Sequence, residues 1–157
     1  MDDASLLIEM IDLQARTGGI VIALLEVEPD QVSRYGICSV TNADGNTVEI
    51  TGLVEKPPVG EAPSNLAIIG RYILPATIFG AISKTGPGSG GEIQLTDAMA
   101  ALLEQGTPVH GIVYRGVRYD TGMPLGYLQA VVQLACQRDD LGPAFRQWLA
   151  DFAGKEL

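Results

Sequence analysis

The sequence of 157 residues predicts an α/β fold, with a mixed sheet, flanking helices and further helices at the C-terminal end. The apolar run at residues 20–25 is rich in β-branched side chains, which is typical of a strand buried on both faces of a sheet. Residues 36–40 and 47–54 alternate apolar and polar side chains around a turn segment, which predicts an antiparallel hairpin. A chain of this length can bury roughly 70% of its unfolded surface. We therefore expect residues 1–157 to form a single domain.

Glycine and proline positions and helical spacing define the other elements. Asp3 is a plausible N-cap for a first helix that Gly18 and Gly19 would end. Prolines suit the first turn of a helix, as at Pro75 and Pro143. After the hairpin, the sequence predicts a strand at residues 66–74, a helix from residue 75, a glycine-rich loop at 84–91, a helix at 96–104, a strand at 109–114, a paired strand or a sharp bend at 117–119, and two closing helices.

Charge and composition narrow the classes of function. Ten Lys and Arg side chains against nineteen Asp and Glu side chains give a net charge of −9, which disfavours nucleic acid as a partner. No apolar run approaches the ~20 residues that span a bilayer, so we expect no membrane partner. The first three residues are acidic, unlike a secretory signal, and we expect a cytoplasmic protein. Cys38 and Cys136 are then expected to be reduced thiols.

A glutamate and a lysine stand where a predicted strand meets a proline, in the sequence VEKP at residues 54–57. Adjacent residues of an extended strand point to opposite faces, so we expect Glu55 and Lys56 to have different roles. The Lys56 ammonium group can meet a phosphate as a compact point charge, and the Glu55 carboxylate can accept hydrogen bonds from sugar hydroxyls. The alternative is a solvated pair at the end of a strand.

Asp120 is a candidate ligand for a hard cation, because it lies between a predicted strand end and a helix. The alternative is that Asp120 caps the helix that follows. The glycine-rich loop at residues 86–91 lacks the Lys-Ser/Thr that completes a phosphate-binding loop, which favours a surface loop.

Four segments carry a resemblance to a known family. They are VEKP at residues 54–57, PSNLAIIGRY at 63–72, GEIQLTDA at 91–98 and RYDTG at 118–122. In this order they resemble the C-terminal half of bacterial UTP:glucose-1-phosphate uridylyltransferases (UDP-glucose pyrophosphorylases), which are sugar nucleotidyltransferases. The resemblance covers about residues 18–152. It implies a partial Rossmann-like nucleotidyltransferase fold whose nucleotide-binding N-terminal half is missing.

The resemblance also implies roles for single residues. Lys56 would contact the phosphate of glucose 1-phosphate, Glu55 would bind the sugar, and the backbone of Gly36 would approach the sugar. Lys56 and Asp120 would be the catalytic residues, with Asp120 holding Mg²⁺ together with a second aspartate. Asp2 is the candidate for that second ligand, although it could instead cap the first helix.

The family's N-terminal loop of the form G-x-G-T-R has no counterpart before residue 54. We therefore expect a truncated or split uridylyltransferase that keeps the glucose-1-phosphate half and is inactive alone, or is completed by a separate N-terminal piece. The alternative is a non-catalytic assembly or sugar-phosphate-binding module with the family fold. Absent strands should leave a sheet edge exposed, and this edge or the C-terminal helices should favour a homo-oligomer.

Overall fold

The structure is a computed structural model that describes residues 3–156, with side chains at all of these positions except 3, 4, 89 and 156. The helices are α1 (Asp3–Thr17), α2 (Thr77–Ile82), α3 (Leu95–Glu104), α4 (Pro124–Gln137) and α5 (Gly142–Glu156). The strands are β1 (Ile20–Glu26), β2 (Gly36–Asp44), β3 (Thr47–Glu55), β4 (Leu66–Ile73) and β5 (Val109–Val113). These bounds confirm the predicted helices, the hairpin and the α/β class. The chain divides into two compact units, Met1–Gly116 and Val117–Leu157.

The strands of the first unit close into a ring in the order β1, β4, β2, β3 and β5. β5 closes the ring because it pairs in parallel with β1 and antiparallel with β3. The contact between β2 and β4 is narrow and rests on the pairing of Ile37 with Ala67. The prediction of an exposed sheet edge is therefore wrong for the described residues, since each of these strands has a neighbour on both sides.

β1 is buried on both faces, as its apolar run predicts. Ile22 and Leu24 belong to a core cluster that all the strands share with α2 and α3. Val21 and Ala23 belong to a second cluster, in which the strand packs against one face of α1. A central strand between two apolar layers gives the first unit a rigid base for the hairpin of β2 and β3.

The second unit contains α4 and α5, which pack against each other. Three rings of α5 stack in series: Phe145 on Trp148 with centroids 5.6 Å apart, and Trp148 on Phe152 at 5.4 Å. Residues 117–119 form no strand, which favours the predicted bend over the paired strand. Among the described residues, every helix is too short or too polar to cross a membrane.

Candidate functional site

The open end of the β2–β3 hairpin brings three of the predicted site residues together. Gly36 is the first residue of β2, and it pairs with Glu55, the last residue of β3. Lys56 follows directly, and its backbone N–H donates a hydrogen bond to the carbonyl of Tyr35 at 3.0 Å. The hairpin register therefore fixes the backbone positions of Gly36, Glu55 and Lys56.

Lys56 adopts a left-handed backbone conformation, with φ of 47°. This ends the alternation of side chains at the end of β3, because that alternation holds only for extended residues. The Lys56 Nζ atom consequently lies 3.6 Å from Glu55 Oε1. The prediction that the two side chains point to opposite faces is wrong, and the turn in the backbone at Lys56 is the reason.

The two side chains of this ion pair differ in their exposure. The side chain of Lys56 is 46% exposed and that of Glu55 is 13% exposed. Because the ammonium group is half exposed and lies 3.6 Å from Glu55, the pair is weak, at about 0–1 kcal/mol, and Lys56 can exchange Glu55 for another anion at low cost. The arrangement offers a solvent-accessible cation beside an anchored carboxylate.

The second carboxylate oxygen of Glu55, Oε2, is hydrogen-bonded to a residue of α3. Thr96, which is only 6% exposed, donates its hydroxyl proton to Glu55 Oε2 at 2.6 Å. Gly36 lies against the same atoms, because a β-carbon there would come within 3.0 Å of Glu55 Oε2 and 3.1 Å of Thr96 Oγ1. A β-carbon at position 36 would therefore crowd the bond between Thr96 and Glu55, and these side chains would have to shift by a few tenths of an ångström.

The pKa of Tyr72, on β4, is affected by the charge of Glu55. Burial raises the pKa of its phenol, the negative charge of Glu55 raises that pKa further, and Cys38 adds to it once its thiol ionises. All of these effects favour the neutral phenol. Around neutral pH, Tyr72 is therefore a protonated neighbour of the Glu55 carboxylate.

Asp120 belongs to the second unit, in the turn before α4. Its Oδ1 atom accepts a hydrogen bond from the N–H of Gly122 at 3.1 Å, and its carbonyl accepts one from the N–H of Met123 at 3.2 Å. Gly126 packs so close to the Asp120 carbonyl that a β-carbon would overlap it. Met123, not Asp120, occupies the N-cap position of α4. The geometry thus disfavours the N-cap alternative for Asp120.

Comparisons with known proteins agree with these motifs. Residues 4–137 match the family model described as nucleotidyl transferase. The chain belongs to the nucleotidyl transferase family. It is 46% identical over 114 residues to a UTP–glucose-1-phosphate uridylyltransferase of Komagataeibacter xylinus, covering 73% of this chain and 40% of that protein. It is 45% identical over 132 residues to the protein of that name from Escherichia coli K12, covering 82% of this chain and 43% of that one.

Solved structures give the same result for the nucleotidyl transferase fold. A UDP-glucose pyrophosphorylase crystallised with UDP-glucose superposes with a TM-score of 0.80 at 37% identity, covering 88% of this chain and 52% of that one. The UTP-bound enzyme from Acinetobacter baumannii gives a TM-score of 0.77 at 37% identity, covering 90% and 48%. The chain therefore spans about half the length of the relatives that it matches.

Nucleotidyl transferases generally use a divalent metal ion. The carboxylate of Asp120 is a chemically suitable ligand for such an ion. Carboxylate oxygens are the ligands that Mg²⁺ prefers, and the ion is usually bound by one or two carboxylates together with substrate phosphates. Within the described part of the chain, no group of three or more His, Cys, Asp or Glu side chains is placed to hold a metal by itself. Asp2, the second predicted ligand, lies outside the described residues.

Thr96 is the contact that sequence reasoning missed. Nothing in the segment at residues 91–98 indicates this contact, because the partner of Thr96, Glu55, is 41 positions away in the sequence. A threonine near the start of a predicted helix is ordinarily read as a cap, but no side-chain cap is formed at α3. The glycine-rich loop before it packs Gly88 against the carboxylate of Asp97, which disfavours a second anion there.

Proposed function

We propose that this chain is the sugar-phosphate-binding half of a UTP:glucose-1-phosphate uridylyltransferase. The whole-family reaction joins UTP and glucose 1-phosphate to give UDP-glucose and pyrophosphate. The observation that carries the proposal is the pair formed by the anchored Glu55 carboxylate and the exposed Lys56 ammonium group, in a chain of this family.

In this proposal Lys56 binds the phosphate of glucose 1-phosphate. Its side chain is half exposed, and its ionic contact with Glu55 is long at 3.6 Å. A phosphate dianion offers more charge and three acceptor oxygens, so it competes well for the ammonium group. Glu55 accepts hydrogen bonds from sugar hydroxyls, and Gly36 lets the sugar approach the β2 backbone.

Asp120 is proposed as a ligand for Mg²⁺, which would neutralise charge that develops on the phosphates. Its backbone turn is already fixed by the bonds to Gly122 and Met123, so the carboxylate needs little reordering to bind a cation. In the same proposal, Asp2 supplies the second carboxylate. We expect Asp120→Asn to change ligand affinity only when Mg²⁺ is present.

The nucleotide half of the site is not encoded in these 157 residues, because no segment resembles the glycine-rich loop that precedes it in the family. We propose that a polypeptide carrying that loop completes the enzyme. Catalysis of phosphoryl transfer depends mainly on positioning and charge neutralisation around the triphosphate, and those groups would come from that polypeptide. The chain by itself should therefore form no UDP-glucose.

Titration calorimetry tests the binding half of the proposal. Glucose 1-phosphate should bind weakly, and UTP should bind more weakly still. Lys56→Ala should weaken the binding of glucose 1-phosphate by roughly tenfold to a hundredfold, since a hydrogen bond to a charged group contributes ~1.5–3 kcal/mol. Lys84→Ala is the matched control, because Lys84 is an exposed lysine outside the hairpin, at the end of α2.

A pyrophosphate-release assay with UTP, glucose 1-phosphate and Mg²⁺ tests the catalytic half. Turnover by this chain above that of Lys56→Ala would contradict the need for groups outside these 157 residues. No heat with millimolar glucose 1-phosphate, or an equal loss of affinity in Lys84→Ala, would favour a non-catalytic assembly module instead.

A further inference from the structure

The two carboxylate oxygens of Glu55 have different surroundings. Oε2 is bonded to the Thr96 hydroxyl at 2.6 Å and lies against the backbone of Gly36. Oε1 lies 3.6 Å from Lys56 Nζ, on the side where the lysine is exposed. One oxygen is therefore committed to the protein, and the other faces the position where a ligand would meet Lys56.

Breaking this bond would leave the buried Thr96 hydroxyl without its hydrogen-bond acceptor. A hydroxyl buried without a partner costs roughly 1–3 kcal/mol by protein mutational data, and Thr96 is only 6% exposed. An ionised carboxylate can only accept, so the hydroxyl proton must point from Thr96 to Glu55. Thr96 is also the second residue of α3, and the first turn of a helix favours a negative charge beside it.

A glutamate side chain at the end of a strand is otherwise flexible. Ordering such a side chain costs up to about 1.5–2 kcal/mol of conformational entropy. The bond to α3 already orders the side chain in the folded protein, so ligand binding does not lose that conformational entropy again. The bond from Thr96, beside Gly36, favours the orientation in which Oε2 faces α3.

We infer that Thr96 is a positioning residue, which orders Glu55 so that Oε1 alone is presented to the sugar of a bound sugar phosphate. This inference rests on the proposed function for its ligand and on the observed contact for its geometry. It assigns to α3 a direct part in sugar recognition, although no residue of α3 needs to touch the ligand. Phosphate recognition by Lys56 should be independent of Thr96.

Two probes separate the sugar from the phosphate. In Thr96→Val, which removes the hydroxyl but keeps the shape, glucose 1-phosphate should bind about tenfold more weakly, while inorganic phosphate should change by less than about twofold. Thr96→Ser should restore glucose 1-phosphate binding. Thr17→Val is the matched control, because the half-buried Thr17 hydroxyl bonds only within α1, to the Leu13 carbonyl at 3.0 Å.

A double-mutant cycle distinguishes action through Glu55 from general damage. If Thr96 acts through Glu55, Thr96→Val should add no further loss in a Glu55→Ala background. Full additivity, an equal effect of Thr17→Val, or failure of Thr96→Ser to restore binding would overturn the inference.

A measurement without ligand keeps the inference testable if the proposed function fails. The Glu55 charge helps to raise the pKa of Tyr72, so a released Glu55 should let Tyr72 ionise at lower pH. Carbon NMR of the Tyr72 ring should show this decrease in Thr96→Val and in Glu55→Ala, but not in Thr17→Val. If wild type binds no glucose 1-phosphate, the proposed function falls, and an unchanged Tyr72 titration in Thr96→Val would separately overturn the positioning role.

Discussion

At the scale of single residues, the protonation of the Cys38 thiol is linked to folding stability. The thiol is completely buried, and burial raises its pKa from 9.0 to about 12. The folded protein keeps this proton at a pH where the unfolded chain releases it. Stability from this group is therefore complete below about pH 9 and decreases as the pH rises towards 12. Tyr72, whose pKa is also raised, acts in the same direction.

We predict that the free energy of unfolding decreases between about pH 9 and about pH 11, by on the order of 1 kcal/mol per pH unit from Cys38. Urea denaturation at several pH values measures it. Cys38→Ala should be less stable at neutral pH, because it leaves a cavity, but its decrease with pH should be shallower. Cys136→Ala is the cysteine control. An equally steep decrease in Cys38→Ala would show that other groups dominate.

The hairpin is predictable because a clear turn and alternating side chains define it, and its observed register brings Gly36 and Glu55 together. The conformation of Lys56 could not be predicted, since a left-handed backbone is rare for lysine and nothing in the sequence at residues 54–57 indicates it. The contact of Thr96 with Glu55 was equally invisible, because it depends on how α3 packs onto β3.

At the scale of elements, local periodicity predicted what each segment becomes, but not which segments become neighbours. The apolar run of β1 and the proline before α2 are local signals. The return of β5 to pair with both β1 and β3 is a long-range event, and it removed the sheet edge that truncation had suggested. Strand partners depend on side-chain packing across the whole unit, which no short pattern records.

Two glycines show how differently these elements tolerate a methyl group. Gly111, in β5, is buried, and a β-carbon there would overlap the side chains of Leu24 and Val48. We predict that Gly111→Ala lowers the free energy of unfolding by about 1–3 kcal/mol. Gly80, within α2, is exposed and has open space at this position. Gly80→Ala should instead stabilise by roughly 0.5–1 kcal/mol.

Chemical denaturation of the two variants beside wild type measures both changes. The packing of β5 predicts that the two substitutions change the free energy of unfolding in opposite directions. A Gly111→Ala variant as stable as wild type would mean that β5 can shift outwards without loss, and that the ring is looser than its register indicates.

At the scale of the whole molecule, the C-terminal helices display large apolar side chains to solvent. Trp148 is 55% exposed and Phe152 is 47% exposed, within the ring stack of α5. On α4, Leu125 and Leu128 are 68% and 59% exposed. Exposed apolar surface of this kind often marks an interface. With no free sheet edge among the described strands, these helices carry the proposal of a homo-oligomer.

We predict that the protein forms dimers or larger species through these helices. Light scattering across a concentration series measures the mass. Trp148→Gln should shift the equilibrium towards the monomer, because an aromatic anchor often dominates an interface. Phe79→Gln is the control, since Phe79 is 75% exposed on α2. A monomer at every concentration, or an equal shift in Phe79→Gln, would contradict the prediction.

The closed ring also has a kinetic consequence. Its parallel seam joins the first strand to the last, so the chain from β1 to β5 must be ordered before that seam can form. Contacts between distant segments slow folding, and domains dominated by them fold in about milliseconds to seconds. Until β5 arrives, β1 and β3 each have an unpaired side. The interval before closure is therefore when a newly made chain is most exposed to aggregation through its strands, and rapid completion of β5 is its protection.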